Sequence, residues 1–117
     1  MKFKLIVVMT DDDMSGRVIE TARANGATGC TVITNARGEG LKPAKTFLGL
    51  TVAGQRDVIL LLVEEHLSRH ILEEIGTACR FDTDPGAGVA FQVDIEDAIG
   101  LQAQIQTIEQ EIGEEEL

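Results

Sequence analysis

Two short runs of consecutive apolar residues, 5–9 (LIVVM) and 58–63 (VILLLV), constrain this chain more than anything else in it. Strands that are apolar at every position are buried on both faces, and these runs are too short to be read as helices. Each run is followed by apolar residues at helical spacing: Met14, Val18, Ile19 and Ala22 after the first, Leu67, Ile71, Leu72 and Ile75 after the second. Two helices can cover one face of a sheet. The opposite face of both runs is left over, and leaving it wet costs about 25 cal/mol per Å² of apolar surface.

The remaining elements follow from local signals. Residues 2–9 are expected as the first strand. Asp11, Asp12 and Asp13 supply an N-cap and first-turn acids for a helix reaching about Asn25, where Gly26 stops it. Residues 29–36, with β-branched Thr31, Val32, Ile33 and Thr34, form the second strand, and residues 57–63 the third. A second helix spans 65–78, and 81–87 is a turn-rich connection containing Pro85 and Gly86. Residues 89–95 alternate apolar and polar and make the fourth strand. Leu101, Ile105, Ile108 and Ile112 fit one stripe of a short C-terminal helix. The order βαββαβ is an α+β, ferredoxin-like sandwich, with the first and third strands central. The simplest cover for its second face is another copy of the chain, so a homo-oligomer with sheets facing inward is expected.

The connection between the second and third strands, 38–55, is far longer than a hairpin turn. It also reverses the charge of its surroundings. From 37 to 56 there are four basic residues, Arg37, Lys42, Lys45 and Arg56, against one acid, Glu39, in a chain of net charge −10. A long basic loop with Gly38 and Gly40 at its base reads as a contact arm for a partner. The overall acidity argues against nucleic-acid binding, which needs a basic face, and against anionic membrane surfaces. No basic residue follows Arg80, and the closing acids Glu114, Glu115 and Glu116 read as a solvated terminus. The chain thus divides into a ferredoxin-like domain, 1–95, and a C-terminal helix with an acidic tail, 96–117. Cys30 and Cys79 form no CxxC pair and are expected as buried small apolar residues in a reducing cytoplasm. The apolar run 5–9 is too short for a signal segment or a membrane span, so a cytoplasmic protein without membrane insertion is expected.

The motifs Gly26-Ala27-Thr28-Gly29-Cys30-Thr31-Val32, Arg37-Gly38-Glu39-Gly40 and Gly86-Ala87-Gly88-Val89-Ala90-Phe91, in this element order, resemble the PII nitrogen-regulatory signalling family over residues 1–95. The resemblance implies a homotrimer that binds adenine nucleotides (AMP, ADP or ATP) in clefts between subunits. It further implies a loop, here 38–55, that regulates a target, often a membrane transporter or an enzyme. Carried over position by position, Thr31, Gly38, Gly40, Leu62, Gly86 and Gly88 would line the cleft; Arg37, Lys42, Lys45 and Arg56, read from charge alone, are the expected partner contacts of the loop. Independently of the family, such glycines can let backbone N–H groups approach a phosphate or an adenine edge. They are equally the glycines of ordinary turns.

The chain departs from the family in three places. Val89 stands where the family has a phosphate-gripping lysine, residues 98–104 contain no cation, and the chain has no tyrosine to be uridylylated. Without those cations the charge-assisted bonds that hold a triphosphate are lost. The expectation is a divergent PII-like protein that takes AMP, ADP or another small anion, or that works as a ligand-free interaction module.

Two further readings remain. His66 and His70, four apart on the second helix beside Glu65, Glu73 and Glu74, have a spacing that can hold one metal ion, which would suit a CutA-like trimeric metal-tolerance protein. The same spacing is that of two solvent-facing helix histidines. No nucleophile with its base is recognisable, and Asp82 and Asp84 are explained by a turn around Pro85, so the chain is expected not to be an enzyme.

Overall fold

The computed structural model describes residues 1–37, 55–101 and, for their backbone alone, 46–47 and 50–51. The chain runs β1 (Phe3–Asp11), a 3-10 turn (Asp12–Met14), α1 (Ser15–Ala24), β2 (Thr31–Ala36), β3 (Thr46–Phe47), β4 (Leu50–Thr51), β5 (Arg56–Glu64), α2 (Glu65–Ala78) and β6 (Gly88–Asp94). The main sheet has the order β2-β5-β1-β6 with every neighbour antiparallel, so the expected ferredoxin-like α+β fold is present. The pair β3 and β4 forms a small hairpin within the connection that was expected to have no strands. The expected C-terminal helix, with Ile105, Ile108 and Ile112, lies outside the described residues.

The two apolar runs are the adjacent central strands. Their alternate residues Ile6, Val8, Ile59, Leu61 and Val63 point to one side, where they are closed off by Val18 and Ala22 of α1, Ile71 and Ile75 of α2, and Cys79 just past the end of α2. This is the core. The other side is ordered in three rows that the strand register lines up: Ile33–Val58–Met9–Val89, Thr31–Leu60–Val7–Phe91 and Leu62–Leu5–Val93. No described element covers these rows. Ile33 is 48 % exposed, Phe91 38 % and Val93 41 %, values at which an apolar side chain gives up much of its transfer free energy.

Helix ends explain several sequence details. α1 stops as expected at Asn25 and Gly26, the latter with φ of 109°. α2 ends in a Schellman arrangement in which Phe81 N–H donates to Gly76 C=O (3.0 Å) and Arg80 N–H to Thr77 C=O (3.3 Å). The left-handed position of that motif, φ of 59°, is taken by Arg80 rather than glycine. The acids before α1 act differently from expectation. Asp11 closes β1 and makes no capping hydrogen bond; its carboxylate is drawn to Arg56 instead. Cys79 is buried as expected, whereas Cys30 is exposed because it precedes β2, an edge strand; both are free thiols.

Candidate functional site

The glycine pair of the 81–88 connection is built by local chemistry. Asp84–Ala87 is a tight turn in which Ala87 N–H donates to Asp84 C=O at 3.1 Å. Pro85 presets φ at its second position, and Gly86, with φ of 79°, takes the third, which a type II turn reserves for glycine. Thr10 Oγ donates to Ala87 C=O at 2.8 Å and ties this turn to the end of β1. Gly88 then enters β6 opposite Thr10, on the side that faces the helices. A Cβ at Gly88 would lie 2.5 Å from Cε1 of Phe81 and 2.9 Å from the Met9 carbonyl oxygen. Turn geometry therefore accounts for Gly86, and the Phe81 ring for Gly88.

Thr31 and Leu62 lie elsewhere, on the uncovered face. Thr31 is opposite Leu60, and Leu62 is two residues further along β5. Between β2, which carries Thr31, and β6, which begins at Gly88, stand the two central strands. The four described residues of the expected cleft are thus spread across the width of the sheet within one chain. Gly38 and Gly40 lie outside the described residues.

The root of the long loop is anchored at its C-terminal side. Arg56, expected as a loop cation, is the first residue of β5, directly across from Asp11 and from Ala36. Its side chain is 8 % exposed and its guanidinium pairs with the Asp11 carboxylate. Next to it, buried Asp57 accepts a hydrogen bond from Ser15 Oγ at 2.6 Å. Arg37, on the other root, is exposed, and Lys42 and Lys45 lie outside the described residues. The Asp11–Arg56 and Ser15–Asp57 pairs were not anticipated from sequence. The available signal was a run of three acids facing, across the expected pairing of the first and third strands, an Arg-Asp dipeptide.

The two histidines have separate partners. His66 Nδ1 lies 2.5 Å from Glu64 Oε1, while Glu64 Oε2 accepts from the His66 backbone N–H at 2.9 Å and so caps α2. The hydrogen bond to Glu64, then its charge, raise the His66 pKa above its ordinary value, with Glu65 adding to the effect. His70 Nε2 is instead 3.0 Å from Asn25 Oδ1. The metal pairing of His66 with His70 is therefore replaced by a different group: Glu64, Glu65 and His66 each bring one ligand atom within 4.8 Å of the others. Both Glu64 oxygens are already engaged there, and the α2 N-terminus opposes an added cation.

Comparison with known proteins puts this geometry in context. The family model described as nitrogen regulatory protein P-II matches residues 3–104. Among solved structures, CPII of Thiomonas intermedia, bound to ADP, AMP and acetate, superposes with a TM-score of 0.64 at 20 % identity, covering 85 % of this chain and 94 % of that one. The same protein with ADP, AMP and bicarbonate gives 0.63 at 20 %, covering 81 % and 87 %. A PII-like signalling protein of Thermus thermophilus gives 0.59 at 23 %, covering 81 % and 91 %. A search of curated protein sequences finds no significant match. No described helix is long and apolar enough to cross a membrane.

Proposed function

The chain belongs to the nitrogen regulatory protein P-II family, and on that footing we propose that it is a signalling protein that binds an adenine nucleotide in clefts between the subunits of a homotrimer. Loop 38–55, with Arg37, Lys42 and Lys45, is its contact arm for a target, a membrane transporter in our reading, with an enzyme as the other class of target. The reading is regulatory rather than catalytic.

One observation carries this proposal. Thr31 and Leu62 lie toward one edge of a sheet, the Gly86–Gly88 turn lies at the other, and the apolar rows between them are uncovered. A second copy seated on those rows brings the β2 side of one chain to the β6 side of the next and completes a cleft that one chain lacks. Support for the ligand class comes from CPII, which is bound to ADP and AMP. Val89 and the uncharged stretch 98–101 favour AMP or ADP over ATP, because no cation at those positions is available for a third phosphate.

The test is light scattering combined with calorimetric titration of AMP, ADP and ATP. A mass of three chains with AMP or ADP binding tighter than ATP is the expected result. A single-chain mass, or no heat with any of the three, overturns the reading. The CutA-like alternative has the Glu64–Glu65–His66 group in its favour. The family match over 3–104 weighs against it, and zinc or copper titration of the same sample separates the two.

A further inference from the structure

Five polar residues are buried among those described, and four of them, Thr10, Ser15, Arg56 and Asp57, gather at the end of the sheet where the long loop returns. The helix-covered face of the central strands is otherwise apolar, running through Ile6, Val8, Ile59, Leu61 and Val63. Thr10 continues the series of Ile6 and Val8 and is fully buried. We propose that Thr10 is a positioning residue that, with its neighbour Asp11, holds the Gly86 turn and the root of the loop in one fixed relation, so that a displacement of either is felt at the other.

A valine would fill the Thr10 position with the same shape and no polar atom, so burial alone does not ask for a hydroxyl there. The hydroxyl donates to the Ala87 carbonyl at 2.8 Å. The Ala87 N–H donates to the Asp84 carbonyl at 3.1 Å, so both backbone groups of this residue are held. Gly88 follows, directly opposite Thr10 on the ladder and closed in by Phe81 and the Met9 carbonyl. The turn therefore cannot slide along β1 without giving up the Thr10 bond.

One residue on, the same strand takes hold of the loop. Asp11 faces Arg56 across the ladder and pairs with its guanidinium, and Arg56 faces Ala36 on its other side. Both roots of the loop thus meet at Arg56, since β2 ends at Ala36 and β5 begins at Arg56. The pairing of β2 with β5 shifts register between Ile33 and Ala36, where Asn35 takes φ of 60°, so Ala36 is placed by Arg56 rather than by an unbroken ladder. Asp57, across from Thr10, accepts from Ser15 Oγ at 2.6 Å, which adds the first residue of α1 to the group. Buried hydrogen-bonded groups resist displacement, because breaking one leaves a polar atom without a partner and away from water. In a trimer whose cleft is walled by the Gly86 turn, a bound ligand is reported through Thr10 and Asp11 at the base of the contact arm. That consequence rests on the proposed function; the coupling itself does not.

The test is amide hydrogen exchange by NMR on the full chain with no nucleotide present, comparing Thr10→Val, Thr10→Ser and Asp11→Asn. The Ala87 N–H should exchange roughly tenfold faster in Thr10→Val, with the Arg56 and Ala36 amide resonances shifted, and Thr10→Ser should restore both. Asp11→Asn, at a side chain 40 % exposed and so safe for folding, should shift Ala87 from the other direction. The Glu65 amide, bonded to the Lys2 carbonyl at 3.0 Å at the far end of the sheet, is the control and should not change. Faster exchange at Ala87 with Arg56 and Ala36 unmoved overturns the proposal, and so does an unmoved Ala87 in Asp11→Asn. Failure of Thr10→Ser to recover would assign the effect to packing, and equal acceleration at Glu65 to a general loss of stability; either result also overturns it. Because no ligand is added, a failure here leaves the nucleotide reading standing, and a nucleotide titration without heat leaves the coupling standing.

Discussion

Arg56 and Asp11 are direct partners across the β1–β5 ladder, and their side chains form an ion pair that is nearly buried on the arginine side and 40 % exposed on the aspartate side. The pair sits where the long loop returns to the sheet. Removing Asp11 takes the paired carboxylate away from a nearly buried guanidinium, whereas replacing Arg56 with an apolar side chain of similar length leaves a half-exposed carboxylate that water can solvate. Asp11→Ala should therefore cost about 1–3 kcal/mol, and Arg56→Met less. Urea unfolding at one fixed protein concentration measures both. Equal losses, or a larger one for Arg56→Met, would mean that packing of the arginine stem outweighs its charge.

The uncovered rows lead to a prediction about assembly. Leu60→Glu and Phe91→Glu each put a carboxylate on that face without touching the helix-covered core. Each should reduce the light-scattering mass to that of one chain while the far-UV circular dichroism stays the same. An unchanged mass would show that subunits meet elsewhere.

Gly88 separates a structural from a ligand-binding role. Its absent Cβ leaves room for Phe81, so Gly88→Ala should lower stability by about 1–3 kcal/mol with no nucleotide present. Phe81→Leu in the same chain should recover part of the loss, although the contact with the Met9 carbonyl remains. A thermal double-mutant cycle reads the coupling. Additive losses would sink the steric account.

His66 gives a pH signature. Its pKa is raised in the folded chain by the hydrogen bond to Glu64 and that group's charge. A raised folded pKa means the contribution to stability is complete below the ordinary histidine value of 6.5 and disappears as pH climbs through the folded one. An NMR titration should put the His66 midpoint above 6.5, and Glu64→Gln should bring it back down. If the midpoint were the same in both proteins, Glu64 would not be its cause.

Much of the fold could be read along the chain because period and punctuation are local properties. The second helix, expected at 65–78, is Glu65–Ala78, and Gly26 ends the first helix as its position suggested. Strand ends were less legible. β1 extends past the expected Met9 to Asp11 because Asp11 is held by Arg56, a partner 45 residues away. The same distance explains why Arg56 was counted with the loop cations. Gly88 was read through its own missing side chain, but its reason is the ring of Phe81, which no spacing rule connects to it. The residues expected to line a cleft are not brought together within one chain, which spreads Thr31, Leu62 and the Gly86 turn across one sheet.

The three apolar rows bear on the period just after synthesis. A newly folded, unpartnered chain carries an uncovered apolar sheet face, bounded by the edge strands β2 and β6, whose backbone groups can recruit a strand that approaches. A net charge of −10 opposes such encounters between copies at a distance. In the proposed trimer, acidity and this face would act in sequence: repulsion discards glancing collisions, and the register of the rows rewards the few approaches that align.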